Sequence, residues 1–276
     1  MTETAARPSV TILGLGRMGT ALARGLLEAG WPPARLRAAE ADPLAREGAG
    51  TLGIEVRPSP AETAVTDVVV LAVKPKDTAA ALAALVPPRW PEGSLLLSLA
   101  AGVPTGRLAA LWGARPLVRA MPNLAATIGR AVTALYAVPA SSERSRAWAA
   151  RLLAAVGDVH WCAREEDLDA VTALSGSGIA YVLLLMESMV EEGVALGLAR
   201  PLAERLVAGT VAATPALLAG TGTTPAALCE RVASPGGTTE AALRALADGG
   251  FSPLVRSAVH AAWARALALG GQGPTP

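Results

Sequence analysis

The chain is predicted to fold as an α/β Rossmann-type dinucleotide-binding domain followed by an all-α dimerisation and substrate domain. Three observations carry the prediction. Short β-branched runs alternate with Ala/Leu helical patterns through the first half, as in βαβ units of a parallel sheet. Gly14-Leu15-Gly16-Arg17-Met18-Gly19 follows the first of those runs and opens the first helical pattern. From Glu165 onward the strand pattern stops and helical periodicity runs nearly to the C-terminus. Domains are therefore expected over 1–163 and 164–270, with a disordered tail at 271–276.

The elements follow in order. Strands are expected at Val10–Leu13, Leu36–Ala39, Asp67–Ala72, Leu95–Leu99, Pro116–Arg119 and Val132–Val138. Val68-Val69-Val70-Leu71 is continuously apolar, as a strand covered on both faces is. Helices are expected between them at Met18–Ala29, Thr78–Leu85, Thr105–Trp112 and Ser142–Ala155, with Pro32-Pro33, Pro87-Pro88 and Gly102 at the joins. In the second half Glu165-Glu166-Asp167 places acids at a helix start, where the dipole favours them. That helix runs to about Leu198, and others span Pro201–Ala219, Pro225–Ala233, Thr239–Ala247 and Pro253–Leu269. Pro201, Pro225 and Pro253 suit helix starts.

Composition narrows the function. A net charge of +1 gives no footprint for nucleic acid or an anionic membrane surface. Apolar runs are read as interrupted by charge or proline short of the ~18 residues of a spanning helix, so no membrane partner is expected. Cys162 and Cys229 lie far apart and read as buried, reduced thiols of a cytoplasmic protein. With His160 and His260 isolated, neither a metal site nor a histidine triad has material. The only lysines are Lys74 and Lys76, so any mechanism needing a lysine must use one of them.

Six segments carry chemistry. The glycines of the fingerprint allow a tight turn, close approach of a pyrophosphate and tight helix–strand packing. Glu40, about twenty residues beyond Gly19, would accept from the 2′-hydroxyl of NAD, with Asp42 two residues further on; Arg37 and Arg46 argue for the 2′-phosphate of NADP, so either cofactor fits. Val73-Lys74-Pro75, Ala100-Ala101-Gly102 and Met121-Pro122-Asn123 each follow a strand, at the carboxyl edge where an open sheet binds its ligand. Lys74 there is either functional or an ordinary solvated charge. Finally, Ser234-Pro235-Gly236-Gly237-Thr238-Thr239 precedes an apolar-periodic run and is either an anion site of backbone N–H groups or a hydroxyl N-cap.

Nearly end to end, these motifs resemble the pyrroline-5-carboxylate reductase family. Besides the fingerprint and the strand-end segments, the resemblance rests on Arg119-Ala120-Met121-Pro122-Asn123, on Leu168 through Ser175-Gly176-Ser177-Gly178, on Ala180-Tyr181 and on Ser234–Thr239. It implies hydride transfer from NADH or NADPH to the C=N carbon of a cyclic imine, giving L-proline. It implies an intertwined homodimer, with a higher oligomer such as a decamer allowed. It places Thr239 beside the ring nitrogen, and Ser234, Gly236, Gly237, Thr238 and Ser177 around the substrate. Gly14, Gly16, Arg17, Met18, Gly19, Glu40, Val73, Lys74, Pro75, Ala100, Pro122 and Asn123 fall to the cofactor. Leu124-Ala125, Ile179 and Glu240 depart from the family pattern, which has Thr-Pro, Pro and an apolar residue there. A β-hydroxyacid dehydrogenase shares the glycine fingerprint but uses a lysine in its helical domain, where this chain has none. A nicotinamide-binding protein without catalysis is the alternative outside enzymes.

Overall fold

The computed structural model describes residues 7–85 and 90–270. The chain forms two compact units, one running to Ser177 and resuming at Ala262, the other Gly178–Ala261. The tail expected at 271–276 and the Pro87-Pro88 join lie outside the described residues.

In the first unit eight strands form one sheet: β1 (Val10–Leu13), β2 (Leu36–Ala39), β3 (Glu55–Arg57), β4 (Val68–Leu71), β5 (Leu95–Ser98), β6 (Leu117–Met121), β7 (Ala131–Ala137) and β8 (Gly157–Trp161). Their order is β3-β2-β1-β4-β5-β6-β7-β8, and the order reverses between β1 and β4. That reversal opens a crevice above the strand ends. All pairs are parallel except β6–β7. That antiparallel pair follows from its connection: only a 3₁₀ turn at Leu124–Ile128 joins the two strands, too short for a parallel crossover.

Pleating sends Val68 and Val70 to one face, with Val10, Ile12, Leu22, Leu26, Trp148 and Leu152, and Val69 and Leu71 to the other, with Leu82, Leu96, Leu108 and Trp112. Helices α1 (Arg17–Glu28), α2 (Pro43–Ala49), α3 (Thr78–Ala83), α4 (Thr105–Trp112) and α5 (Glu143–Ala154) connect the strands. α2, β3 and β8 have no counterpart among the expected elements. β3 is a three-residue edge strand and β8 is mostly exposed, so neither has the apolar run that betrays a central strand.

α6 (Asp167–Val171) continues into a π-helical turn at Thr172–Gly176, closed by the Ser177 N–H donating to the Thr172 carbonyl at 2.9 Å. The second unit holds α7 (Gly178–Ala195), α8 (Arg200–Thr221), α9 (Pro225–Val232), α10 (Thr238–Asp248) and most of α11 (Phe251–Leu269). Its small core joins Val190 of α7 to Ala203 and Val207 of α8. Leu183, Leu184, Leu206 and Leu254 stand exposed. The helical stretches Asp167–Ala195 and Arg200–Thr221 are long and apolar enough to cross a membrane by length and composition, with mean hydropathies of 1.6 and 1.3. This corrects the reading that charge or proline cuts every apolar run well short: residues 170–186 carry neither, and in α8 the charges all fall within its first six residues, with Pro215 accommodated inside the helix. The expectation of buried thiols is corrected too, since Cys229 is exposed and Cys162 half-buried.

Candidate active site

The crevice at the strand reversal is built by the fingerprint. Gly14 leaves β1 with φ +92°, a left-handed conformation, and a Cβ there would stand 3.0 Å from Val73 Cγ1 and 3.1 Å from the Ala72 backbone. Gly16 is the N-cap of α1 and faces open space, so a ligand can approach its backbone. At Gly19 a Cβ would lie 2.0 Å from the Gly14 carbonyl oxygen, which explains the third glycine. Arg17 and Met18 begin α1, Arg17 exposed and Met18 packed on the sheet core. Among the described residues, a cleft of about 670 Å³ joins Gly14 and Gly16 to Glu40, Ser59, Val73 and Lys74.

Glu40 follows β2 directly and turns back toward the glycine loop. Its carboxylate accepts from the Leu15 N–H at 2.6 Å and the Asp42 N–H at 2.9 Å. The neighbouring charges have other partners. Arg37 pairs with Glu55 at 3.3 Å, Arg46 donates to the Glu40 and Ala41 carbonyls at 2.9 and 2.8 Å, and Asp42 caps α2 through the Leu44 N–H at 2.9 Å. Of the four groups the sequence leaves in contention, Glu40 is the one held against the fingerprint.

Of the other strand ends, Val73 and Lys74 line this cleft, whereas Ala100, Pro122 and Asn123 lie outside its lining. Lys74 precedes a 3₁₀ turn at Pro75–Asp77, and Ala100 is buried beside Gly102, which has φ +71°. Asn123, just past Pro122, is 8% exposed: its Oδ1 accepts from the Ala125 and Val132 N–H groups, each at 3.3 Å, and its Nδ2 donates to Ser175 Oγ at 3.1 Å. Asn123 is thereby the cap of the 3₁₀ turn and a tie to the π turn. Gly176 lets Met121 in, since a Cβ there would sit 3.0 Å from Met121 Cε. A π turn at this point fits the tendency of such turns to mark functional sites.

A buried ion group missed from sequence lies beneath. Arg119 of β6 pairs with Glu165 at 3.0 Å and Asp169 at 3.3 Å, with side-chain exposures of 5%, 18% and 8%. Glu165 also accepts from the Thr105 N–H at 2.7 Å and from the Thr105 hydroxyl. These partners are separated by 46 to 60 residues, so no local pattern announces them.

In the second unit, the loop from Ser234 forms a turn with Pro235 at its second position and Gly236 at its third, with φ +70°, and the Gly237 N–H donates to the Ser234 carbonyl at 2.9 Å. Pro then a left-handed glycine is the type II signature. A Cβ on Gly237 would meet Ser234 Oγ at 2.5 Å. Gly237 itself is the N-cap of α10, which decides against the hydroxyl-cap reading: no side chain caps this helix. The first-turn N–H groups of Thr238, Thr239 and Glu240 have no partner within the helix. The N–H groups of Gly236 and Gly237 are engaged inside the loop, the former by the Glu240 carboxylate at 2.7 Å.

Residues 165–269 match the family model described as pyrroline-5-carboxylate reductase dimerisation. Residues 9–102 match one described as NADP oxidoreductase, coenzyme F420-dependent. The chain is 42% identical over 270 residues to the pyrroline-5-carboxylate reductase of Pseudomonas aeruginosa, covering 96% of this chain and 98% of that one. It is 38% identical to that of Glycine max, covering 93% and 94%. Among solved structures it resembles a pyrroline-5-carboxylate reductase from Coxiella burnetii, with TM-score 0.88, 32% identity, and 98% and 100% of the two chains covered. It also resembles the Plasmodium falciparum pyrroline carboxylate reductase with NADP bound, with TM-score 0.86, 28% identity, and 95% and 98% covered. The exposed leucines of the second unit thus belong to a homo-oligomerising helical domain. With a matched dimerisation model and relatives covered along nearly their full length, the chain belongs to the pyrroline-5-carboxylate reductase family.

Proposed function

We infer that the first unit holds a reduced nicotinamide dinucleotide and that the loop Ser234–Thr239 holds the carboxylate of a cyclic imine. The reaction is reduction of 1-pyrroline-5-carboxylate to L-proline, the last step of proline biosynthesis. The observation that carries the substrate half is the Gly237 cap: it leaves the start of α10 uncapped by any side chain, with Ser234, Thr238 and Thr239 hydroxyls around it. Such a helix start favours an anion through its N–H groups and dipole.

The crevice fits the dinucleotide, since Gly16 offers open space where a pyrophosphate approaches and the cleft is roomy. Gly14, Gly16, Arg17, Met18 and Gly19 would hold the pyrophosphate, and Glu40 the adenosine ribose, a reading that favours NADH over NADPH. Val73, Lys74, Pro75, Ala100, Pro122 and Asn123 would line the nicotinamide path, Asn123 by holding the chain around it. When bound, the reduced nicotinamide supplies a hydride to the imine carbon. Thr239 then keeps a hydroxyl oxygen beside the protonated ring nitrogen, and Ser177 borders the ring. A protonated imine is already electrophilic, so orientation and exclusion of water suffice and no histidine is needed.

The helical domain over 164–270 is taken as intertwined with a second copy, burying the exposed leucines of α7 and α8. A decamer is the larger assembly this reading allows, and cytoplasmic location is part of it because the reaction draws on a soluble dinucleotide. The test is loss of reduced-nicotinamide absorbance when purified protein meets pyrroline-5-carboxylate and NADH or NADPH. Thr239→Ala is expected to lower kcat about ten- to a hundredfold, the worth of one hydrogen bond to a charged group, with cofactor affinity unchanged. An unaffected rate removes Thr239 from the mechanism; absent turnover with intact cofactor binding overturns the reading as a whole.

A further inference from the structure

The loop proposed to hold the substrate carboxylate already holds an anion of its own. Glu240 Oε2 accepts from the Gly236 N–H at 2.7 Å. Glu240 is the third residue of α10, the position from which a carboxylate commonly reaches back to the residue before the helix. Here it reaches one residue further, because the Gly237 N–H is engaged by the Ser234 carbonyl at 2.9 Å. Its neighbour Arg244 stands at 3.7 Å with 71% of its side chain exposed, so the charge is only weakly compensated.

We propose that Glu240 is a specificity-determining residue: it places a fixed negative charge beside the donors of the substrate carboxylate and weakens binding of the anionic imine. The proposal rests on the clamp reading above. A helix start presents roughly half a positive charge, and a bound side-chain carboxylate uses part of it. Two residues of chain span at most about 7 Å, so the Gly236 and Thr238 N–H groups lie closer than the screening length of about 8 Å at physiological ionic strength. A second carboxylate at Thr238 therefore feels Glu240 largely unscreened.

The opposing possibility is that the hydrogen bond to Gly236 shapes the turn and so strengthens binding. Glu240→Gln separates the two, since the amide oxygen still accepts from Gly236 and the charge is gone. The expected result is a KM for pyrroline-5-carboxylate lowered about three- to fivefold, the effect of one partly exposed charge pair. kcat, dinucleotide affinity and the KM for 1-pyrroline, which lacks the carboxylate, stay at the wild-type values. Glu240→Ala, which loses charge and acceptor together, is expected to bind the carboxylate substrate less tightly than Glu240→Gln. A KM that is unchanged or raised in Glu240→Gln, in a wild type that prefers pyrroline-5-carboxylate to 1-pyrroline, overturns the proposal alone. A wild type that does not distinguish the two imines overturns the clamp reading with it.

Discussion

Arg119 and Glu165 meet at 3.0 Å beneath the ends of β5 and β6, Arg119 almost wholly enclosed. Through Thr105, Asp169 and the strand it sits on, this pair ties three segments together: the start of α4, the strand leading to Asn123, and the helix leading to Ser175. Removing the cation leaves two enclosed carboxylates without compensation. Arg119→Met is expected to lose about 3–5 kcal/mol of stability, the range for breaking a buried pair. Urea unfolding at matched protein concentration measures it, since an oligomer's stability depends on concentration. A loss below 1 kcal/mol would show the group to be solvated in solution.

The third fingerprint glycine is a packing requirement before it is anything else. A methyl at Gly19 would overlap the Gly14 carbonyl at 2.0 Å, so Gly19→Ala must push α1 off β1. Dinucleotide affinity is expected to fall at least tenfold, read by fluorescence titration. By contrast Gly48→Ala, where a Cβ meets nothing within 4 Å in α2, should leave affinity alone. Equal affinities in the two variants would detach Gly19 from the site.

Glu40 bears on cofactor choice because its carboxylate is fixed by two backbone N–H groups while Arg37 and Arg46 are held elsewhere. Glu40→Ser removes the negative charge and is expected to raise kcat/KM for NADPH relative to NADH by about tenfold or more, the scale of one lost charge repulsion at a partly buried site. The two cofactors assayed side by side measure the ratio. An unmoved ratio means that Glu40 serves the loop and does not face the ribose.

Much of this was legible in the residues themselves. β1, β2 and α4 fall where periodicity puts them, and α8 to α11 lie within two residues of expectation, because hydrophobic period, Pro at helix starts and glycine at turns are local signals. The single helix expected from Glu165 to about Leu198 is instead divided by the π turn and ends at Ala195. The fingerprint is equally local: strand, tight turn and helix N-terminus are adjacent in the chain. The type II turn at Ser234–Gly237 is another case, its Pro and left-handed Gly standing side by side.

What only tertiary structure decided was who partners whom. Asn123 became a cap bonded to Ser175, Glu40 was singled out from four competing charges, and Gly237 rather than a hydroxyl took the cap of α10. The short edge strands β3 and β8, the antiparallel turn into β7 and the Arg119 group belong to the same class. The physical reason is common to them: propensity and period act over a few residues, whereas these contacts join residues far apart in sequence, or choose among near-equal local options. Only packing of the sheet and its helices brings such groups to hydrogen-bonding distance.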